Sequence, residues 1–562
     1  MKKKIKIFLI FFIILTPNIS FSNEMDPNIQ PEYESSKTYE NLKYAKTKNF
    51  IVVTANDYAS HMGYKILEKG GTVADAAVAI QLTLGLVEPQ SSGLGGGTFA
   101  TYYHNKSKKV ISYEGREKAP IKIKDTVFLN NKGKPKDFFD AAIGGTSVGV
   151  PSTLKTLFAI HNDFGNLKWE NIVAQVIEFS ESGFYPPKRL INAINKEKFF
   201  FDLYPNSILK KIKIYPERKF INDRYTKTLK QISINHNDFY EGEIAKNIVK
   251  AVNNSKNPGS LSMKDLKKYK IKKNDALCYP LNKYLICGPN LPSSGTICVL
   301  QSLILYDLLL GKEKINHHFN KRKNLNLILE ILDFIYYLRS TSLADEKFEK
   351  INISKLLNTR YLKNEFELFQ KKNITNNLFN IEEILNSTSH FTLTDKYKNV
   401  LSLTSSIESS FGSRLFVNGF FLNNQLTDFS FKTVDENGQK IKNKPEGGKS
   451  PLSSMSPLIV FDENHNFLLT IGSPGGKAII SYIVKSLIDI LYLESKPENS
   501  IQSANYIRIK GKTFIEEKSL NKTLKKKGIV RPLTSGLAII KKEDDYFVGV
   551  ADPRRDGSVR GN

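Results

Sequence analysis

The stretch that most limits the fold is Asn386-Ser-Thr-Ser-His-Phe-Thr-Leu-Thr-Asp395, because the pattern of the chain changes there. Between about residues 166 and 380, Leu, Ile and Phe recur at helical spacing, with Asn-rich loops between. From Thr388 onward the pattern is that of strands. Phe391 and Leu393 mark one, Asp395 to Asn399 a turn, and Val400, Leu401 and Leu403 a second. A hydroxyl therefore stands where a strand begins. Were the preceding peptide bond cut, Thr388 would carry a hydroxyl and a free amine together, and the amine could act as base for its own hydroxyl. An α-amine titrates near pH 7.7–8.0, about right for a usable neutral fraction at pH 7. Ser/Thr/Asn clusters usually mark loops, so on these ten residues alone a plain loop-to-strand junction is the commoner reading, and the rest of the chain has to decide.

The remaining elements set the class. Phe50 to Thr54 reads as a strand, and Tyr58 to Lys69 as a helix stopped by Gly70-Gly71. Thr72-Val-Ala-Asp75 resembles a capping box opening the helix Ala76 to Val87, which is apolar nearly all round and so predicted buried. After the Gly-rich turn at Gly93–Gly97 come strands at Thr98–Tyr103 and Lys109–Tyr113, and then Arg116. Gly144 to Pro151 leads into a helix from Thr153 to His161. Past the pattern change, Phe416–Leu422 reads as a strand, and the polar loop Thr433–Lys449 as a lid or a surface excursion. Strands follow at Leu458–Phe461 and Phe467–Ile471, and Gly472 to Gly476 opens a helix over Lys477–Leu493. No linker separates the two halves, so both are expected to share one α+β core, sheets held between helix layers.

A net charge of +26 raises the question of a nucleic-acid or membrane partner. The lysines are scattered and no aromatic platform lies among them, so no nucleic-acid partner is expected. Met1 to Lys6 is basic, Ile7 to Leu15 apolar, and Ser20-Phe-Ser22 offers small residues for cleavage. That predicts a signal peptide over residues 1–22 and a periplasmic or secreted protein. Cys278 and Cys287 flank a turn, and spacing alone leaves their pairing open. The chain has no CxxC or HExxH, and His317-His318 is not on ligand spacing, so neither a metal nor another cofactor is expected. Gly476-Lys477 fails as a phosphate loop, being one residue short and lacking the Ser/Thr. A Gly pair at a helix start still presents N–H groups to an anion, unless it only turns the chain.

Taken together, Gly70–Pro120, Gly144–Pro151, Ser387–Asp395, Asn423–Ser430, Ser453–Pro457 and Gly472–Gly476 resemble the γ-glutamyltransferase family, also called γ-glutamyltranspeptidase or glutathione hydrolase. The resemblance runs from about Ala45 to Asn562. It implies an N-terminal-nucleophile hydrolase fold, a four-layer αββα sandwich. It implies self-cleavage between Ser387 and Thr388, giving a large subunit of residues 23–387 and a small one of residues 388–562 that stay together as a heterodimer. Thr388 then matches the nucleophile, Ser406 a supporting hydroxyl, and Gly475 and Gly476 the oxyanion hole. Arg116, Ser453 and Ser454 match the groups that hold the α-carboxylate of a γ-glutamyl donor such as glutathione. Glu408, Gln425 and Asp428 match those that hold its α-ammonium. Water or an amine would accept the acyl group.

The chain departs from the family pattern at Ser389 and Ser406, where Thr is usual, at Glu408, where Asn is usual, and in the Thr433–Lys449 loop. Glu408 motivates a second reading, an acylase of the same fold acting on a glutaryl-type amide or a γ-linked polymer. The basic surface motivates a third, an uncleaved and inactive binding protein.

Overall fold

The computed structural model describes residues 43–197, 199–310, 321–372, 387–516 and 528–562. The expected signal peptide lies outside the described residues. Among the described residues no helix is long and apolar enough to cross a membrane.

Two seven-stranded sheets form the centre. Their strands, in chain order, are β1 Lys43–Thr47, β2 Ile51–Thr54, β3 Gly97–His104, β4 Lys109–Gly115, β5 Lys272–Asp275, β6 Leu277–Leu281, β7 Tyr284–Gly288, β8 Ser389–Thr394, β9 Val400–Ser406, β10 Leu458–Phe461, β11 Phe467–Gly472, β12 Ala538–Glu543, β13 Tyr546–Ala551 and β14 Ser558–Gly561. One sheet runs β1-β13-β12-β11-β10-β7-β6 and the other β14-β2-β8-β9-β3-β4-β5. Each contains strands from before and after Ser387, so the expected halves interleave in both.

Three apolar layers hold the stack together. One cluster packs α1 (Asp57–Glu68), α2 (Val73–Val87), α3 (Thr153–Phe164) and α4 (Trp169–Ser182) on the second sheet, through residues such as Val52, Phe391, Leu393, Leu401 and Leu403. Another packs α5 (Gly295–Leu310), α6 (Lys321–Ser342) and α7 (Ala478–Leu487) on the first sheet, through Leu458, Val460, Leu469 and Ile471. Ile51, Val53, Ile459, Phe461, Ile540 and Phe547 fill the space between the sheets. In β2 the side chains of Ile51 and Val53 face one layer and Val52 the other, which is why that strand is apolar throughout. The result is helix, sheet, sheet, helix: the expected four-layer sandwich.

The alternation after Thr388 has an unexpected cause. Thr392, Thr394, Ser402 and Thr404 are buried as completely as the apolar residues between them. They sit between the sheets, not in solvent. Thr392 shares a 3.0 Å hydrogen bond with Thr470 on β11, and Thr404 one of 2.9 Å with His390. Pairing removes most of the cost of burying Thr392 and Thr404, whereas the Thr394 and Ser402 hydroxyls have no hydrogen-bond partner among the described residues.

Several boundaries move. The capping box at Thr72 and Asp75 is complete, and α2 starts at Val73, earlier than expected. The Phe416–Leu422 strand is two short strands, Phe416–Val417 and Phe420–Phe421, around a turn at Asn418-Gly419 with φ of 50° and 89°. Residues 166–380 are not all helical, for β5, β6 and β7 lie within them. The helix at Lys477–Leu493 is α7 followed by a π-helical turn over Ile488–Tyr492. Cys278 and Cys287 stand opposite each other on β6 and β7 and form a disulfide; Cys298 is free and buried.

Candidate active site

Thr388 stands just before β8, between β2 and β9 in the interior of its sheet. Because Ser389 pairs with Ser405, the neighbouring Ser406 falls beside Thr388, and their hydroxyl oxygens are 3.2 Å apart. Ser406 donates its proton to the carbonyl of Ser387 at 2.9 Å, and its oxygen accepts from the Glu408 N–H, also at 2.9 Å. With that proton spent, the Thr388 hydroxyl donates to Ser406. Behind the strand, Arg555 donates to the Thr388 carbonyl at 2.8 Å. Ser389 donates to Glu88, which also meets Arg189 at 3.2 Å. Burial raises the Glu88 carboxyl above its ordinary value, against the pull of Arg189.

A cavity opens on Thr388. Its wall includes Ser406, Glu408, Gly476, Arg116, Gln425, Asp428, Ser453 and Ser454. Gly475 is the one expected site residue not on its wall; it stands one position behind Gly476. These residues come from strand ends and loops separated by as many as 360 positions (476 minus 116), brought together by the sheets.

The end of the cavity expected to hold the two charges of the donor is pre-assembled. Arg116 follows β4 and donates to Asp428 at 2.6 Å, to the Leu452 carbonyl at 2.8 Å and to the Pro451 carbonyl at 3.0 Å. Gln425 donates to the same Asp428 oxygen at 2.6 Å from the first residue of a 3₁₀ turn, Gln425–Asp428. The carboxylate and ammonium groups of an α-amino acid share one carbon, so a touching cation and anion suit such a pair. Asn443, in the Thr433–Lys449 loop, donates to the Asp428 carbonyl at 2.8 Å and accepts from the Leu452 N–H at 3.1 Å. That loop thus ties the two sides of this end together.

The oxyanion side is set by backbone. Gly475 and Gly476 have φ of 127° and 54°, conformations that glycine reaches without strain. A Cβ on Gly475 would lie 2.7 Å from the Tyr482 ring. Among the described residues neither glycine N–H has an acceptor. Two open donors thus stand just before α7, that of Gly476 on a residue of the cavity wall, as an oxyanion hole would need.

Sequence reasoning missed four neighbours. Arg339 on α6 and Lys477 after the glycine pair both line the cavity. Neither lies in a motif; a helix with mixed polarity hides the first and a failed phosphate-loop pattern the second. Glu117 sits 3.6 Å from Arg116, is fully buried, and among the described residues neither carboxyl oxygen has a hydrogen-bond partner on another residue. Burial pushes its carboxyl up to about 8, with Arg116 opposing. Glu88 is the fourth. No group of three or more His, Cys, Asp or Glu among the described residues is placed to hold a metal.

Paired sheets between helix layers, with a buried hydroxyl opening an interior strand and open backbone donors beside it, define an N-terminal-nucleophile hydrolase fold. The cephalosporin acylase of Bacillus halodurans has this fold: it superposes with a TM-score of 0.78 at 18% identity, over 95% of this chain and 99% of that one. The chain belongs to the γ-glutamyltranspeptidase family, whose sequence model, described as Gamma-glutamyltranspeptidase, matches residues 59–561. It is 30% identical to a glutathione hydrolase proenzyme of Bacillus subtilis, over 93% of this chain and 94% of that protein. A glutathione hydrolase proenzyme of Pseudomonas aeruginosa is 28% identical, over 85% and 88% of the two chains. The γ-glutamyltranspeptidase of Helicobacter pylori superposes with a TM-score of 0.51 at 27% identity, covering 56% of this chain and 90% of that one. Hydrolase or acyltransferase activity follows from membership.

Proposed function

We propose that this chain is an exported proenzyme that cuts itself before Thr388 and then moves the γ-glutamyl group of glutathione, or a related amide, to water or an amine. The observation that carries the reading is the convergence of the Thr388 hydroxyl, the Gly476 backbone and the Arg116–Asp428 pair on one cavity.

Self-cleavage comes first. Thr388 Oγ1 attacks the Ser387 carbonyl, whose oxygen already accepts a proton from Ser406. The Ser387–Thr388 C–N bond breaks, the Thr388 nitrogen takes the hydroxyl proton, and an ester joins Ser387 to Oγ1. Water hydrolyses that ester, leaving a carboxylate on Ser387 and a free amine and hydroxyl on Thr388. The two pieces remain a heterodimer because each supplies strands to both sheets.

In turnover the new amine takes the Thr388 hydroxyl proton as Oγ1 attacks the γ-carbonyl of the donor. The negative charge on the carbonyl oxygen meets the N–H groups of Gly475 and Gly476, where one such donor is worth about 10²–10³ in rate. The C–N bond breaks, the leaving amine carries off the proton, and the acyl group stays on Thr388 as an ester. Water or an amine attacks this ester and restores the hydroxyl. Arg116, Ser453 and Ser454 hold the α-carboxylate, and Glu408, Gln425 and Asp428 the α-ammonium. A carboxylate at Glu408 favours a donor with an α-amine over a glutaryl amide.

A denaturing gel and one donor comparison test the proposal. The mature protein should show two bands, the smaller about a third of the chain's mass by residue count, and prefer a γ-glutamyl anilide to a glutaryl anilide. Thr388→Ala should give one band and lose at least about a thousandfold in activity. An uncut chain with full activity would sink the proposal, and no preference for the α-amino donor would favour the acylase reading.

A further inference from the structure

The cavity holds more positive charge than the donor-binding groups above account for. Arg339 is 5% exposed and lies on its wall. Its Nε donates to Ser294 Oγ at 2.7 Å. Among the described residues, its two terminal nitrogens form no hydrogen bond and no ion pair within 4.0 Å, although the Asp428 carboxylate on the same wall attracts the guanidinium. A guanidinium carries five N–H donors, so most of this one is unspent. Arg116, by contrast, is largely committed to Asp428 and two carbonyls. Lys477 lies on the same wall, 7% exposed. Its ammonium is held well below its ordinary value by burial first and then by Arg339 and Lys510. Two neighbouring buried cations disfavour each other, and an anion placed between them relieves both.

Their position narrows what that anion is. Ser294, which receives the Arg339 bond, donates to the Ser453 carbonyl from both its N–H, at 2.8 Å, and its hydroxyl, at 2.6 Å. Lys477 directly follows the oxyanion glycines, and its carbonyl accepts from Tyr336, one helical turn before Arg339 on α6. The pair therefore bridges the groups expected to hold the α-carbon end and those expected at the reacting carbonyl.

We propose that Arg339 and Lys477 form a second anion-binding corner, separate from Arg116, that takes a carboxylate of the substrate. The inference rests on the acyl-transfer reading above. The carboxylate has two possible sources: the α-carboxylate of the acyl group, then shared with Arg116, or one carried by the leaving amine.

Three donors separate the sources: γ-glutamyl-4-nitroanilide, its 3-carboxy derivative, and 4-aminobutyryl-4-nitroanilide, which lacks the α-carboxylate. The readout is the ratio of kcat/KM values between donors, in the parent protein, Arg339→Gln, Arg339→Lys and Lys477→Met. If the corner takes the α-carboxylate, the preference for γ-glutamyl over 4-aminobutyryl falls about 10- to 100-fold in Arg339→Gln and Lys477→Met, with partial rescue in Arg339→Lys. If it takes a leaving-group carboxylate, the preference for the 3-carboxy anilide falls by a similar factor instead. Equal losses on all three donors, with both ratios unchanged, would mean that Arg339 only braces the Ser294 loop, and would overturn the corner. Lys477 follows the glycine pair and lies outside the Ser294 loop, so Lys477→Met tests the corner by a second route. A parent protein that turns over none of the donors would sink the acyl-transfer reading. The corner would then stand or fall on thermal shifts: glutarate should raise the melting midpoint of the parent protein more than that of Lys477→Met, and equal shifts would overturn it.

Discussion

At the scale of single residues, the direction of one proton arranges the centre. Ser406 gives its hydrogen to the Ser387 carbonyl, so its oxygen is left to receive that of Thr388. On the proposed reading, Arg116 serves binding without touching the bond that is cut. Its contacts run to Asp428, Pro451 and Leu452. Arg116→Ala should therefore raise KM about 10- to 100-fold while leaving the two-band pattern, as read by steady-state kinetics and a gel. Failure to mature would make the residue structural. Glu117 carries a pH signature. Its carboxyl is raised from 4.5 to about 8, so the protonated form is the one the fold favours. Stability from this group is complete below about pH 4.5 and is lost as pH rises through about 8. Denaturant midpoints at pH 5 and pH 8.5 should fall more in the parent protein than in Glu117→Gln; identical drops would refute the assignment. Thr388, Arg116 and the glycine pair were legible because each sits in a recognisable motif. Arg339 and Glu117 were not, since their importance lies in what they fail to touch, which only three-dimensional neighbours reveal.

Among elements, α6 links the two sides of the cavity. Tyr336 donates to the Lys477 carbonyl at 2.6 Å and shares a 2.9 Å bond with Ser481, while Arg339, one turn on, reaches Ser294. Tyr336→Phe keeps the ring and deletes both bonds. It should cost about 1 kcal/mol in stability and, if the Gly475–Gly476 loop holds the oxyanion, lower kcat more than it changes KM, because that loop loses its tether. A change confined to KM would separate the helix from that loop. The long apolar elements were readable from sequence, α2 above all, because a helix without a polar face has only the interior to occupy. Strands β5 to β7 were not. Lys272-Lys273-Asn274-Asp275 is largely exposed and polar, and pairing with β4 is what makes it a strand. The Phe416–Leu422 run was misread as continuous because its apolar residues masked a two-residue turn. The alternation in β8 and β9 gave the right element for an incomplete reason, since its polar face is turned inward.

On the scale of the whole molecule, cleavage between Ser387 and Thr388 would not release either piece. Strands β2, β3, β4 and β5 share a sheet with β8, β9 and β14, and β1, β6 and β7 share the other with β10 to β13. The two bands should co-elute on native gel filtration and separate only in denaturant; native dissociation would contradict the topology. The disulfide between Cys278 and Cys287 bridges one hairpin within the larger piece, so it adds no cross-link between them. Thiol titration in denaturant should count one thiol without reductant and three with it, matching the single free Cys298.

Pairing of β1 with β13, and of β2 with β14, has a consequence for biosynthesis. Residues 43–54 emerge from the ribosome early, yet their partners at residues 546–561 follow roughly 500 positions later. Neither sheet has all its strands until residue 561 has emerged. Arg555, which donates to the Thr388 carbonyl, belongs to the same late stretch, so on the self-cleavage reading a ribosome-bound chain stopped short of it would lack one of the contacts that fix the threonine.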